Sequence, residues 1–117
     1  MEGRESSGPA RNVGRIDRLI HEPARLMVMA HLYVLERADF VFLMRQTGMT
    51  QGNLSSHLSK LEEAGYIEVK KTFKGKRPHT MLQLTEAGRA AFRDYRQSME
   101  LVLGEPGQEA RADGATT

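Results

Sequence analysis

Residues 49–92, MTQGNLSSHLSKLEEAGYIEVKKTFKGKRPHTMLQLTEAGRAAF, change hydrophobic period twice. Thr47-Gly48-Met49-Thr50 breaks the pattern before it and turns the chain. The Thr50 hydroxyl is suited to cap a new helix. Over Thr50–Ala64, Leu54, Leu58 and Leu61 recur at i, i+4 and i+7, the helical period. Gly65 then stands where a C′ glycine ends a helix. From Tyr66 to Phe73 the period falls to two, as in a strand. Lys74–Pro78 reads as a turn or loop, and His79–Leu84 as a second strand, which together predict an antiparallel hairpin. Thr85 caps a last helix expected to run to about Leu103, with Glu86 in the first turn, where the helix dipole favours an anion.

Upstream, Phe40, Leu43 and Met44 predict a short helix over Phe40–Gln46. Glu22-Pro23 reads as a helix start, with proline at the first helical position. From Leu26 to Leu35 the chain is apolar on nearly every side except His31, the pattern of a helix buried all round. One small core does not easily surround such a helix, so a partner surface is expected over part of it. Ile16, Leu19 and Ile20 suggest a further short helix. Downstream, Phe92, Tyr95, Met99 and Val102 repeat at spacings of three, four and three, like a coiled-coil seam. Residues 1–12, rich in Gly, Ser, Pro and charge, and 104–117, without a large apolar residue, are expected to be disordered tails around one domain, 13–103.

Composition narrows the function classes. At 117 residues the chain has room for one domain, and 39% hydrophobic content argues against wholesale disorder. The absence of cysteine excludes disulfides, thiol nucleophiles and Cys-based metal sites. No 18-residue apolar run and no apolar segment in MEGRESSGPARNVGR are present, so neither a membrane span nor a secretory signal is expected; the chain reads as cytoplasmic. The four histidines, His21, His31, His57 and His79, show no metal-binding spacing. Ser55-Ser56-His57 are neighbours in sequence, which is not how a catalytic triad is assembled. No cofactor, metal or catalytic site is expected, and the reading is not that of an enzyme.

Two helices joined by a tight turn, then a hairpin, then a long helix, is the order of a winged helix-turn-helix. The expected fold is therefore α+β, mainly helical, with one antiparallel hairpin wing and a long C-terminal dimerisation helix. In this order the second helix of the pair is the natural reader of a major groove. Its leucines face the core. Its other face carries Gln51, Gly52, Asn53, Ser55, Ser56, Ser59 and Lys60, short hydrogen-bonding residues suited to base edges and phosphates. Residues 70–77, KKTFKGKR, hold five Lys/Arg and no acid, although the whole chain has a net charge of only +2. The wing residues expected on DNA are Lys70, Lys71, Lys74, Lys76, Arg77 and His79, with Arg77 suited to a minor groove.

The stretch Leu54–Ile67, L-S-x-H-L-x-x-L-E-x-x-G-Y-I, resembles winged-helix transcriptional regulators of the MarR-like and ArsR-like superfamily. Ile20-His21-Glu22-Pro23-Ala24-Arg25 is similar to the entry of a small MarR-related DNA-binding family. The resemblance covers about residues 14–103. It implies a dimeric binder of double-stranded DNA, usually a repressor, acting by promoter occlusion. By the resemblance Thr50 and His57 join the reader residues named above. The homodimer interface is expected from Ile16, Leu19, Ile20, Met27, Phe92, Tyr95, Met99 and Val102. Met27, Met29 and Met44 either fill the core or line a pocket for a small apolar effector. The competing reading is a winged-helix protein-interaction module without sequence-specific DNA binding.

Overall fold

The computed structural model describes residues 16–104. The elements are α1 (Pro23–Leu35), β1 (Arg37–Asp39), α2 (Phe40–Thr47), α3 (Gln51–Glu63), β2 (Ile67–Lys74), β3 (Arg77–Leu84) and α4 (Glu86–Met99). After Met99 the chain widens into a π-helical turn over Glu100–Gly104. The winged body is the compact unit Arg18–Phe92, and residues from Arg93 on belong to a second unit. The expected tails, 1–12 and 104–117, lie outside the described residues except for Gly104, which ends the π turn. No described helix is long and apolar enough to cross a membrane.

One apolar core joins the elements of the winged body. It holds Val28, Met29 and Leu32 of α1, Leu43 of α2, Leu54, Leu58 and Leu61 of α3, and Ile67, Leu82 and Leu84 of the sheet, all buried. The sheet is antiparallel in the order β1-β3-β2. β1 pairs Arg37, Ala38 and Asp39 with Gln83, Leu82 and Met81. The base of β3 is thus flanked on both sides, while its outer half touches β2 alone.

Capping follows chemistry close in sequence. Glu22 accepts the Arg25 backbone N–H at 2.9 Å and opens α1. Asp39 accepts from the Phe42 N–H at 2.7 Å and opens α2. Thr85 opens α4 and ties it to the preceding corner. Its Oγ1 accepts from the Gly88 N–H at 2.9 Å and donates to the Gly65 carbonyl at 2.6 Å. Its backbone N–H donates to the Tyr66 carbonyl at 3.0 Å. At Gly88 the helix passes so close to the Tyr66 backbone that a Cβ would run into the Tyr66 carbonyl.

The structure corrects several expectations. A third strand, β1, occupies residues that carry no strand-like alternation. Residues 18–22 form a turn and a bend instead of a helix around Ile16, Leu19 and Ile20. Glu22 precedes Pro23 and is held extended at φ −135°, ψ 128°, as a residue before proline must be. Helix α1, by contrast, is not fully surrounded, as expected for one small core: Val34 is 77% exposed, and Met27 and Leu35 are exposed as well. The wing turn is shorter than Lys74–Pro78. The strands run to Lys74 and resume at Arg77, leaving Gly75-Lys76. Gly75 has φ 67° while Lys76 does not share a positive φ, the pattern of a type II′ turn, which suits the right-handed twist of a hairpin. The last helix keeps α geometry only to Met99; in the π turn the three-four-three spacing no longer holds one stripe, and Val102 is exposed.

Candidate nucleic-acid interface

Helix α3 is built as a fixed platform. Leu54, Leu58 and Leu61 are buried, each contributing about 1.5–3 kcal/mol by removal from water. Thr50 Oγ1 accepts the Asn53 N–H at 3.2 Å and caps the first turn. At the other end the Tyr66 N–H donates to the Leu61 carbonyl and the Gly65 N–H to the Glu62 carbonyl, both at 2.9 Å. That pair of bonds is a Schellman closure. It satisfies carbonyls that would otherwise be left open and directs the chain into β2.

The outer face of α3 is as polar as the sequence predicts. Thr50, Gln51, Gly52, Asn53, Ser55, Ser56, Ser59 and Lys60 are all exposed. His57 differs: it is half-buried on the flank of the helix. Arg25 Nη1 lies 3.1 Å from His57 Nδ1. A guanidinium has only donors, so this contact is a hydrogen bond only while the imidazole is neutral with Nδ1 as acceptor. Arg25 also donates through Nε to the Leu19 carbonyl at 2.6 Å, and Glu22 Oε1 lies 3.9 Å from the imidazole. The Arg25 N–H bond is the main reason the Glu22 carboxyl is held below its ordinary pKa of 4.5; partial desolvation opposes the shift, and the nearby His57 and Arg25 charges assist it. This cluster ties the start of α1 to the middle of α3. Sequence reasoning missed it because Arg25 and His57 are 32 residues apart.

The wing has two chemically distinct faces. Opposed residues of an antiparallel pair share a face, and faces alternate along the strand. Ile67–Leu84, Val69–Leu82, Lys71–Thr80 and Phe73–Pro78 therefore form one face. Glu68–Gln83, Lys70–Met81, Thr72–His79 and Lys74–Arg77 form the other. Two surface clefts bear this out. One, about 220 Å³, lies between α3 and the sheet and is lined by Ser55, Leu58, Ser59, Val69, Lys71 and Thr80. The other, about 310 Å³, opens on the opposite face among Glu68, Lys70, Thr72, Met81 and Gln83. The structure thus separates the wing cations: Lys71 points to the α3 side, Lys70, Lys74 and Arg77 to the far side, and Lys76 sits in the turn. All five are exposed. His79 is half-buried, its Nε2 3.8 Å from Asp39 Oδ2.

Of the residues expected in a dimer interface, Ile20, Phe92 and Tyr95 are buried within a single chain, and burial keeps the Tyr95 phenol above its ordinary pKa. Met27 and Val102 are exposed, and Ile16, Leu19 and Met99 are half-buried. Phe92 packs at a tilt against Tyr33 with ring centroids 5.0 Å apart, and the Arg89 guanidinium lies 5.2 Å above the Tyr33 ring. Met29 is buried and Met44 half-buried. Among the described residues no group of three or more His, Asp or Glu could hold a metal ion. Sequence reasoning also gave no role to Phe73, which is 72% exposed near the wing tip.

Comparison with known proteins agrees with this architecture. An uncharacterized protein of Methanocaldococcus jannaschii is 38% identical over 78 residues, spanning 67% of this chain and 85% of that protein. A solved transcriptional regulator homologue from Pyrococcus horikoshii superposes with a TM-score of 0.74 at 25% identity, covering 82% of this chain and 94% of its own. A MarR-family regulator structure from Enterococcus faecalis shares the fold, with a TM-score of 0.69 at 22% identity over 80% of this chain and 84% of that one. The family model for the winged helix DNA-binding domain matches residues 24–103, from the first turn of α1 to the π turn. With its capped α3, three-stranded sheet and cationic wing, the chain belongs to the winged helix DNA-binding domain family.

Proposed function

We propose that this protein is a sequence-specific DNA-binding transcriptional regulator that acts as a homodimer and represses by occupying its operator. The observation that carries the reading is the exposed face of α3. A run of Thr, Gln, Asn and Ser at a helix start lowers helix propensity. Here that run stands on three buried leucines, beside a hairpin tip with five exposed cations and no acid. Asn53 and Gln51 suit adenine edges, the serines suit bases or phosphates, and the first-turn amides suit a phosphate. The wing cations supply the sequence-independent share of affinity.

In a dimer, two copies of α3 enter successive major grooves about 34–36 Å apart, and RNA polymerase is excluded from the DNA they cover. The exposed Met27, Val34 and Val102 are available to a second copy. Support for the DNA partner also comes from a structural neighbour, AbfR, solved bound to DNA, with a TM-score of 0.65 at 14% identity. Another neighbour, NadR, was solved with 4-hydroxyphenylacetate, which makes a small effector a reasonable object of screening.

The test is a titration against the duplex immediately upstream of the gene and a scrambled duplex, at two salt concentrations, with light scattering on the same samples. The expected result is binding at least about a thousandfold tighter to the natural duplex, by a particle of twice the chain mass. Equal and steeply salt-dependent binding to both would leave only electrostatic attraction to those sequences. If, in addition, neutralising Lys74, Lys76 and Arg77 left cellular activity intact, a protein-interaction module would be the better account.

A further inference from the structure

The outermost pair on the α3-side face of the wing is Phe73 and Pro78. Further down the same face, Ile67, Leu82 and Leu84 are buried. Phe73 continues their row past the end of the core and is 72% exposed, on the side of the sheet where α3 packs. The β3 edge opposite β2 is bare beyond Met81, so Pro78, which lacks an N–H, breaks no ladder. An aromatic ring and a pyrrolidine ring thus form an apolar tip. Lys74 and Arg77 stand behind it on the far face, Lys76 in the turn and Lys71 one pair below.

An occupant that fits must be strongly anionic and yet offer flat or apolar surface to a narrow two-stranded tip. A DNA minor groove meets both demands, with phosphates at its rims and sugars and base steps at its floor. Apolar side chains, phenylalanine and proline among them, act there as wedges that unstack a base step and bend the duplex. The ring of cations around the tip selects this occupant over an apolar protein surface.

We propose that the wing tip is a bending wedge: Phe73, backed by Pro78, inserts into the minor groove beside the reader site while Lys74, Lys76 and Arg77 hold the flanking phosphates. The proposal rests on the DNA-binding reading. It adds a mode of recognition by shape, because pyrimidine–purine steps such as TA and CA/TG open at least cost. Operators carrying such a step under the wing are therefore favoured although no hydrogen bond reads it.

The test uses the full chain and the upstream duplex with a dye on each end, so that energy transfer reports bending beside affinity. Wild type is expected to bend the duplex by about 20° or more. Phe73→Ala is expected to abolish the bend and weaken binding about tenfold or more, the scale of a lost aromatic–base stack. Phe73→Leu, which keeps an apolar wedge, is expected to retain part of the bend. Thermal midpoints of all three should coincide, because the side chain stands in solvent. If Phe73→Ala binds and bends like wild type, the wedge is wrong and the DNA reading stands. If Phe73→Ala changes the particle mass in light scattering and leaves the bend alone, the tip serves protein contact and the wedge is again wrong. If wild type binds no duplex at all, the DNA-binding reading fails and takes the wedge with it.

Discussion

Helix α3 and the wing tip are about as far apart in support as two parts of one small domain can be. Helix α3 has three buried leucines, a hydroxyl cap, a Schellman closure and the Arg25–His57 link. Beyond the Lys70–Met81 pair, where β1 ends at Asp39, the wing is a two-stranded ladder with His79 3.8 Å from Asp39, and every residue from Lys70 to Pro78 is exposed. Reading base edges needs side chains held to a fraction of an ångström, which only a packed element provides. Holding phosphates needs charge within reach and tolerates motion. Under the proposed function, this division of support matches one between hydrogen-bonded readout of base edges by α3 and phosphate contact by the wing cations.

That contrast can be broken most directly by removing support from each side. Leu61→Ala should cost about 2–5 kcal/mol in chemical denaturation. Replacing Lys74, Lys76 and Arg77 together with alanine should change stability by no more than about 0.5 kcal/mol per site. The ranking inverts on DNA: the wing triple should reduce the salt slope of binding by about 3, one unit per lost phosphate contact. A wing triple that unfolds the protein would end the comparison.

The next largest effect belongs to the corner joining the two regions. Gly88→Ala forces a methyl group into the Tyr66 carbonyl, which must move although Thr85 holds it. A loss of about 1–3 kcal/mol is expected in a thermal melt. DNA affinity should fall too, because Tyr66 is the pivot between α3 and β2.

Thr50→Ala sharpens the comparison within the helix. Losing the cap should cost about 1 kcal/mol, and Thr50→Ser should restore most of it. A normal melt for the alanine variant would show that the cap contributes nothing to the platform.

The smallest effect is a pH dependence. The Glu22 carboxyl has a lower pKa folded than unfolded, so its contribution is fully present above about 4.5 and is lost as acid protonates it below that value. In Glu22→Gln the acid limb of a stability-against-pH curve should flatten below pH 4.5, with little change at neutral pH. An identical acid limb in the variant would remove Glu22 from the cluster that steadies α3.

What was legible in the sequence follows the same division. The leucine period, Thr50 and Gly65 mark α3 through chemistry local to a few residues, and alternation from Tyr66 to Phe73 marks the hairpin. Strand β1 was not legible, because Arg37-Ala38-Asp39 has no period and exists only by pairing with residues more than forty positions away. The turn was overestimated because Lys74, Arg77 and Pro78 are loop-like residue types at the ends of strands. The contact of Arg25 with His57 depends on how distant segments meet. The polar face of α3 and the wing cations were visible from the start, while the face each cation occupies needed the register.

The two-residue turn also sets a length. With Gly75-Lys76 closing the hairpin, the strands cannot slide, and five residues of β2, Lys70–Lys74, extend past the core. At about 3.3 Å per residue this is an arm of roughly 16 Å. Laid along a duplex rising about 3.4 Å per base pair, the arm spans about five base pairs beside the reader site. The hairpin is in this sense a ruler. Lengthening it by one residue pair on each strand should move the outer edge of a nuclease footprint by about two base pairs and leave its centre where it was.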